Sequence, residues 1–308
     1  MYKHIDDGRK VALYVLVNAD KSLVGLKFAN CEMKEISVGD MSDLIRRTYG
    51  SGEVAVFYKA ITSRLLPIET EPTLISTPQN IDDMTIIVLE EIVATSFTAI
   101  YFFESVKLFK SIDLYFCYFM NYKVDENHLK WGGIGETTGY PHSLGFNKCK
   151  FSMTEKEKNA FPEWFEQYKP FSFATEANEQ FKKALRTYKF SYYIGFPELE
   201  FVMLFTVFEM IFANSNGEIA YQIARGVSLL LSNTPDEMDA NFHRVKKLYT
   251  ARSRYVHAGI SIQKEDLFEL REFVRKIILK LIDMGYHQNG LTFEKLRSKI
   301  LCSGVEKM

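Results

Sequence analysis

The spacing of apolar positions changes near residue 170. Before it, apolar side chains come in short β-branched and aromatic runs separated by turn residues. After it, they recur every three or four residues over long stretches, the spacing of one helix face. The pattern predicts an α+β protein, with a strand-rich, mixed N-terminal domain over 1–165 and an all-helical domain over 170–308.

In the first half, KVALYVLV at Lys10–Val17 reads as a strand. Asn18-Ala19-Asp20 is a turn signal, and a second apolar run from Leu23 to Phe28 predicts the other arm of a hairpin. A short helix is expected around Asp40–Thr48, broken by Gly50-Ser51-Gly52, with Val54–Tyr58 strand-like. Residues 66–80 carry Pro67, Pro72 and Pro78 and read as a surface connection. From Asn80 to Lys110 two readings stand. Asn80 with Asp82 and Asp83 resembles a helix start, followed by a loose helical pattern through Thr95. Buried strands fit Phe97–Phe103 and Leu114–Met120. WGGIGETTGYPHSLGFN over 131–147 is a loop: it lacks the GK[ST] ending of a phosphate loop and the GxGxxG order of a dinucleotide site. PEWFEQYKP, from Pro162 to Pro170, is expected to join the halves.

Six helices are predicted after the join. They run from about Thr175 to Tyr188, Pro197 to Ala213, Glu218 to Leu231, Thr234 to His257, Glu265 to Met284 and Thr292 to Leu301. Pro197 sits near the start of the second, where a missing N–H costs nothing. That helix, ELEFVMLFTVFEMIFA, is apolar nearly all round and is expected at the centre. Thr234-Pro235-Asp236-Glu237 is a helix start, and Ala258-Gly259 a glycine stop.

Composition narrows the function classes. Hydrophobic residues make up 47% and charged residues 25% of the chain, ordinary globular usage. The net charge of −1 places any nucleic-acid site in local charge alone. Cys31, Cys117, Cys149 and Cys302 form no CxxC pair, and no His or Cys spacing suits zinc. Four reduced thiols in a cytoplasmic protein are expected, with no metal and no cofactor. The greasiest run, Ile92–Phe103, is too short for a bilayer, which needs about 20 helical residues, so no membrane partner is expected.

The fourth predicted helix carries the chemistry. Phe242, Val245, Tyr249, Arg252 and Val256 lie on one seam, widened by Leu248 and Tyr255. Arg252 therefore falls where a core residue belongs. A buried guanidinium needs a counter-charge: either an acid, for which Glu209 is the obvious candidate, or a phosphate. Between Asp239 and Glu265 stand Arg244, Lys246, Lys247, Arg252, Arg254 and Lys264 with no acid among them. Such cations either complement a helix C-terminus or form a phosphate-binding strip. His257 ends the helix, with a side chain able to give or take a proton near neutral pH.

LYTARSRYVHAG, Leu248 to Gly259, holds Arg252, four intervening residues and His257. Preceded by FEMIF and EIAYQIARGVSLLL, it resembles the HEPN superfamily, and within it the ApeA-like branch, over roughly 175–285. The resemblance implies a metal-independent endoribonuclease acting on RNA as a homodimer, with a role in growth arrest or antiphage defence. Two motifs would meet at the dimer seam. Arg252 would hold the phosphate and His257 would move the proton, with Ser253, Arg254, Lys246, Lys247, Arg244 and Glu209 supporting or binding RNA. Many members carry Asn, Asp or His directly after the arginine, where this chain has Ser253. That position also fits a non-catalytic relative binding RNA or a partner protein. The N-terminal domain would answer a trigger that no motif identifies.

Five residues at about 100° each place Arg252 and His257 about 140° apart around a regular helix. A long arginine, a frayed last turn or a second subunit must close that gap. A third reading puts an enzyme site at the glycine-rich loop with His142 or Glu136.

Overall fold

The computed structural model describes residues 10–64, 81–93, 98–112, 114–125, 128–130, 134–136, 150–171, 178–194, 196–214 and 217–302. The chain is α+β, an antiparallel sheet followed by a helical region. The described residues divide into two compact units: those within 10–103, 114–136 and 150–169, and those within 104–112 and 170–302. Among the described residues, no helix is long and apolar enough to cross a membrane.

Among the described residues the first unit is built on a seven-stranded antiparallel sheet. Its strands are β1 (Lys10–Leu16), β2 (Lys27–Phe28), β3 (Cys31–Ser37), β4 (Thr85–Val93), β5 (Phe116–Asp125), β6 (His128–Lys130) and β7 (Ile134–Glu136). The order is β2-β3-β4-β1-β5-β6, with β7 also on β5. β1 lies between β4 and β5, with Leu13 opposite Glu90 on one side and Met120 on the other. Both its faces are covered, so its apolar run does not alternate. One face packs Val11, Leu13, Val15, Val88 and Met120 against helices α1 (Val38–Tyr49) and α2 (Ser51–Arg64). Elsewhere in the unit Phe28 and Phe102, the latter on helix α3 (Thr98–Phe109), meet Phe161 and Phe165 of helix α4 (Glu155–Tyr168) in an aromatic cluster with centroids 4.8–5.8 Å apart.

Three expectations for this half need correction. The hairpin after β1 does not form. Asp20 accepts from the Ser22 N–H at 2.9 Å and starts a 3-10 turn instead, while β2 pairs with β3. Val54–Tyr58 is helical, not strand. Val54, Phe57 and Ile61 are buried on one stripe of α2, and that tertiary burial overrides the β-propensity of VAVFY. In the ambiguous stretch the helix and strand readings exchange places: 85–93 is a strand, whereas Phe97–Phe103 falls mostly on α3. Leu114–Met120 does lead into a strand, β5. The expected join, Pro162–Pro170, does hold the passage between the units, at Lys169 and Pro170, and most of it is helix. Thr154 and Glu157 close a reciprocal cap at the start of α4, and Phe161 and Phe165 are fully buried in it. Asn80, residues 66–80 and His142 lie outside the described residues; of the glycine-rich loop, 134–136 form β7.

The second unit contains α5 (Glu179–Ser191), α6 (Pro197–Phe212), α7 (Ile219–Leu231), α8 (Pro235–Ala258), α9 (Lys264–Asp283) and α10 (Phe293–Cys302). α6 is central, packing against α5, α7, α8, α9 and α10. Phe201, Leu204, Phe205, Val207, Phe208 and Ile211 along it are wholly buried. Local chemistry sets the helix ends. Pro197 and Pro235 occupy first turns, the Thr234 hydroxyl accepts from the Glu237 N–H, and Gly259 closes α8 at φ 65°.

Candidate functional site

α8 positions the candidate pair. Its expected buried seam is real only in part. Val245 and Leu248 are fully buried and Phe242, Tyr249, Arg252 and Tyr255 half-buried, but Val256 is 48% exposed. The apolar stripe therefore emerges into solvent over the last turns, next to Arg252.

Arg252 keeps 22% of its side chain exposed, with Nη2 at 3.5 Å from Oε1 of Glu209 on α6. Its guanidinium carbon stands 5.6 Å from the centre of the Tyr249 ring, which packs edge-on against Phe205 at 5.3 Å. Among the described residues its Nε is buried without a hydrogen-bond partner. Arg252 is thus placed by a long ion pair and an aromatic face, and its own donors are incompletely used. Ser253 beside it is half-buried.

His257 is exposed in the last turn of α8, and its side chain makes no hydrogen bond or ion pair among the described residues. The helix is regular through Ala258, where the Gly259 N–H bonds the Tyr255 carbonyl at 2.8 Å. A frayed last turn is therefore not what closes the angular gap to Arg252.

The expected cation strip is smaller than its sequence. Arg244 is engaged by two acids of α9, Asp266 at 2.9 Å and Glu269, and these hold its guanidinium above its ordinary pKa, the Glu269 hydrogen bond most. Lys246 is exposed over the Phe242 ring at 5.5 Å, and Lys247 and Arg254 are exposed. Three solvent-facing cations remain on α8 besides Arg252, and Arg244 is not one of them.

Sequence reasoning missed the most buried ion pair among the described residues. Arg271 of α9 is 1% exposed and donates to both Glu200 oxygens, at 2.5 and 2.6 Å. The signal was present: Arg271 shares the stripe of Leu267, Leu270, Val274 and Ile278, the same kind of placement that drew attention to Arg252. It also missed Lys189, 7% exposed on α5, whose amine burial drives down to about 7, with Glu104 opposing and Lys107 reinforcing the shift. Among the described residues, no three His, Cys, Asp or Glu side chains are grouped as a metal site. Compared with protein-family models, characterised proteins and solved structures, the chain finds no match.

Proposed function

We propose that the helical unit is a HEPN-type endoribonuclease that cleaves RNA without a metal as a homodimer. The reading rests on the end of α8: a half-buried Arg252 with incompletely used donors stands five residues before an exposed, uncommitted His257. Exposed Lys246, Lys247 and Arg254 on the same helix supply the attraction for a phosphate backbone. In the reaction the ribose 2′-OH attacks the adjacent phosphorus and the P–O5′ bond breaks. The 2′ proton leaves with a base and the 5′ oxygen takes one from an acid. His257 serves one of these transfers, and Arg252 stabilises charge on the phosphoryl oxygens. With α8 unfrayed, the 140° offset favours a composite site in which Arg252 of one protomer works with His257 of the other.

The first unit would answer the trigger, and growth arrest or antiphage defence is the role this chemistry suits. The test is RNA cleavage in EDTA by wild type, His257→Ala and Arg252→Ala. Cleavage by wild type alone supports the reading, and equal cleavage by all three sinks it. Ser253, directly after the motif arginine, favours a second reading, a module binding RNA or a partner protein without catalysis. That reading predicts salt-sensitive RNA binding with no cleavage products.

A further inference from the structure

A hollow of about 270 Å³ opens in the second unit where the end of α6 meets α7 and α10. Phe212, Tyr221, Arg225, Arg297, Glu218 and Gln222 line it. Its volume lies just under the range of about 300–1,000 Å³ usual for small-molecule sites, which suits one compact ligand and not a length of polymer.

Two guanidinium groups face this space with few strong partners. Arg225 reaches the Tyr221 hydroxyl at 3.3 Å and the Ile300 carbonyl at 3.5 Å, and its Nε is buried without a partner among the described residues. Arg297 donates to the Met210 and Ile211 carbonyls at 3.4 and 3.3 Å. These bonds are long beside the 2.7–2.9 Å of a charge-assisted pair. A phosphate would satisfy both forks better than they are now satisfied. Among the described residues Glu218 is the one acid lining the hollow, so their formal balance is positive. The walls add aromatic surface: Tyr221 is 41% exposed, braced edge-on by Phe242 at 5.6 Å, and Phe212 closes the inner side. Gln222 ties down the end of α6 by accepting from the Asn214 N–H at 2.8 Å. Gly226 leaves room for the Phe212 ring, which would stand 2.3 Å from any Cβ there.

We propose that this hollow binds a single nucleotide, its phosphate between Arg225 and Arg297 and its base against Tyr221. Stacking tolerates any base, so the site selects for phosphate and ring together and not for base identity. It is separate from Arg252 and His257, and the proposal stands or falls apart from the ribonuclease reading.

The experiment is calorimetric titration of the full chain with 5′-AMP, 5′-UMP, adenosine, uridine and inorganic phosphate. Both nucleotides are expected to bind, and each nucleoside and phosphate alone at least about tenfold more weakly. Arg225→Met and Arg297→Met should each weaken nucleotide binding by about tenfold. Glu218→Gln changes an exposed side chain that makes no capping bond and should tighten binding about two- to fivefold by removing a repelling charge. Three results overturn the proposal: no nucleotide binding, inorganic phosphate binding as tightly as the nucleotides, or Glu218→Gln leaving affinity unchanged or lower.

Discussion

Glu200 grips Arg271 with two hydrogen bonds, at 2.5 and 2.6 Å, at a place where both residues are almost wholly shut off from water. Burial raises the Glu200 carboxyl above its ordinary pKa even though Arg271 pulls it down. Desolvating such a pair is costly, and leaving one partner alone costs more. Arg271→Met or Glu200→Leu alone should therefore destabilise the chain by about 3–5 kcal/mol, whereas the double substitution should be near neutral. Urea unfolding of the three variants measures this. Additive losses in the double variant would show that the two residues are not coupled.

Arg252 and Glu209 present the opposite case. Their contact is long, at 3.5 Å, and their side chains are 22% and 27% exposed. Glu209→Gln should cost no more than about 1 kcal/mol and, by freeing the guanidinium, should raise RNA affinity. Thermal unfolding and RNA titration at one fixed salt concentration check both halves.

Arg244 should behave unlike its neighbours on α8. Bound to Asp266 and Glu269, it is expected to lower the melting temperature when changed to alanine and to leave the salt dependence of RNA binding alone. Lys247→Ala and Arg254→Ala should each reduce the slope of log K against log[salt] by about one. A reduced slope in Arg244→Ala would contradict this division of roles.

Lys189 gives a pH dependence with a definite sign. Its folded pKa, about 7, lies below its ordinary 10.5 because burial penalises the charge. Below about pH 7 the amine is charged in both states and the burial cost is fully present. Above it the folded chain releases a proton that the unfolded chain keeps, so this contribution to stability improves as pH rises toward 10.5. Lys189→Met should accordingly gain melting temperature over wild type at pH 6 and lose much of that gain at pH 9. A difference independent of pH would rule this out.

Gly226→Ala sets two effects against each other. Alanine is the better helix former by about 1 kcal/mol, yet its Cβ would stand 2.3 Å from Cδ1 of Phe212. Phe212 is 3% exposed and has little room to yield, so overpacking of about 1–3 kcal/mol should win. Net destabilisation in chemical denaturation is the expected outcome.

The bounds of the late helices were legible because the signals are local. Thr234 caps the first turn of α8 through its own hydroxyl, Pro235 fits a position with no N–H to lose, and Gly259 takes the left-handed turn that other residues resist. The same short-range logic placed Arg252 and His257 on one helix and set the angle between them. Where both faces of an element are covered, period carries no information. TIIVLEEIV and TAIYFFESVKLF carry apolar runs with no clear period, and only their neighbours make the first a strand between β1 and β3 and the second a helix.

The sequence by itself determined what depends on a few consecutive residues: caps, stops, the helical order of the second half, and the arginine and histidine on one helix. Tertiary structure decided what depends on distant partners. It buried Arg271 against Glu200, left Arg252 half in solvent, and took Arg244 out of the cation strip. All three arginines lie on helices, but the free energy of a guanidinium is set by the carboxylates and water that reach it. Those partners are supplied by helices folded back from elsewhere in the chain.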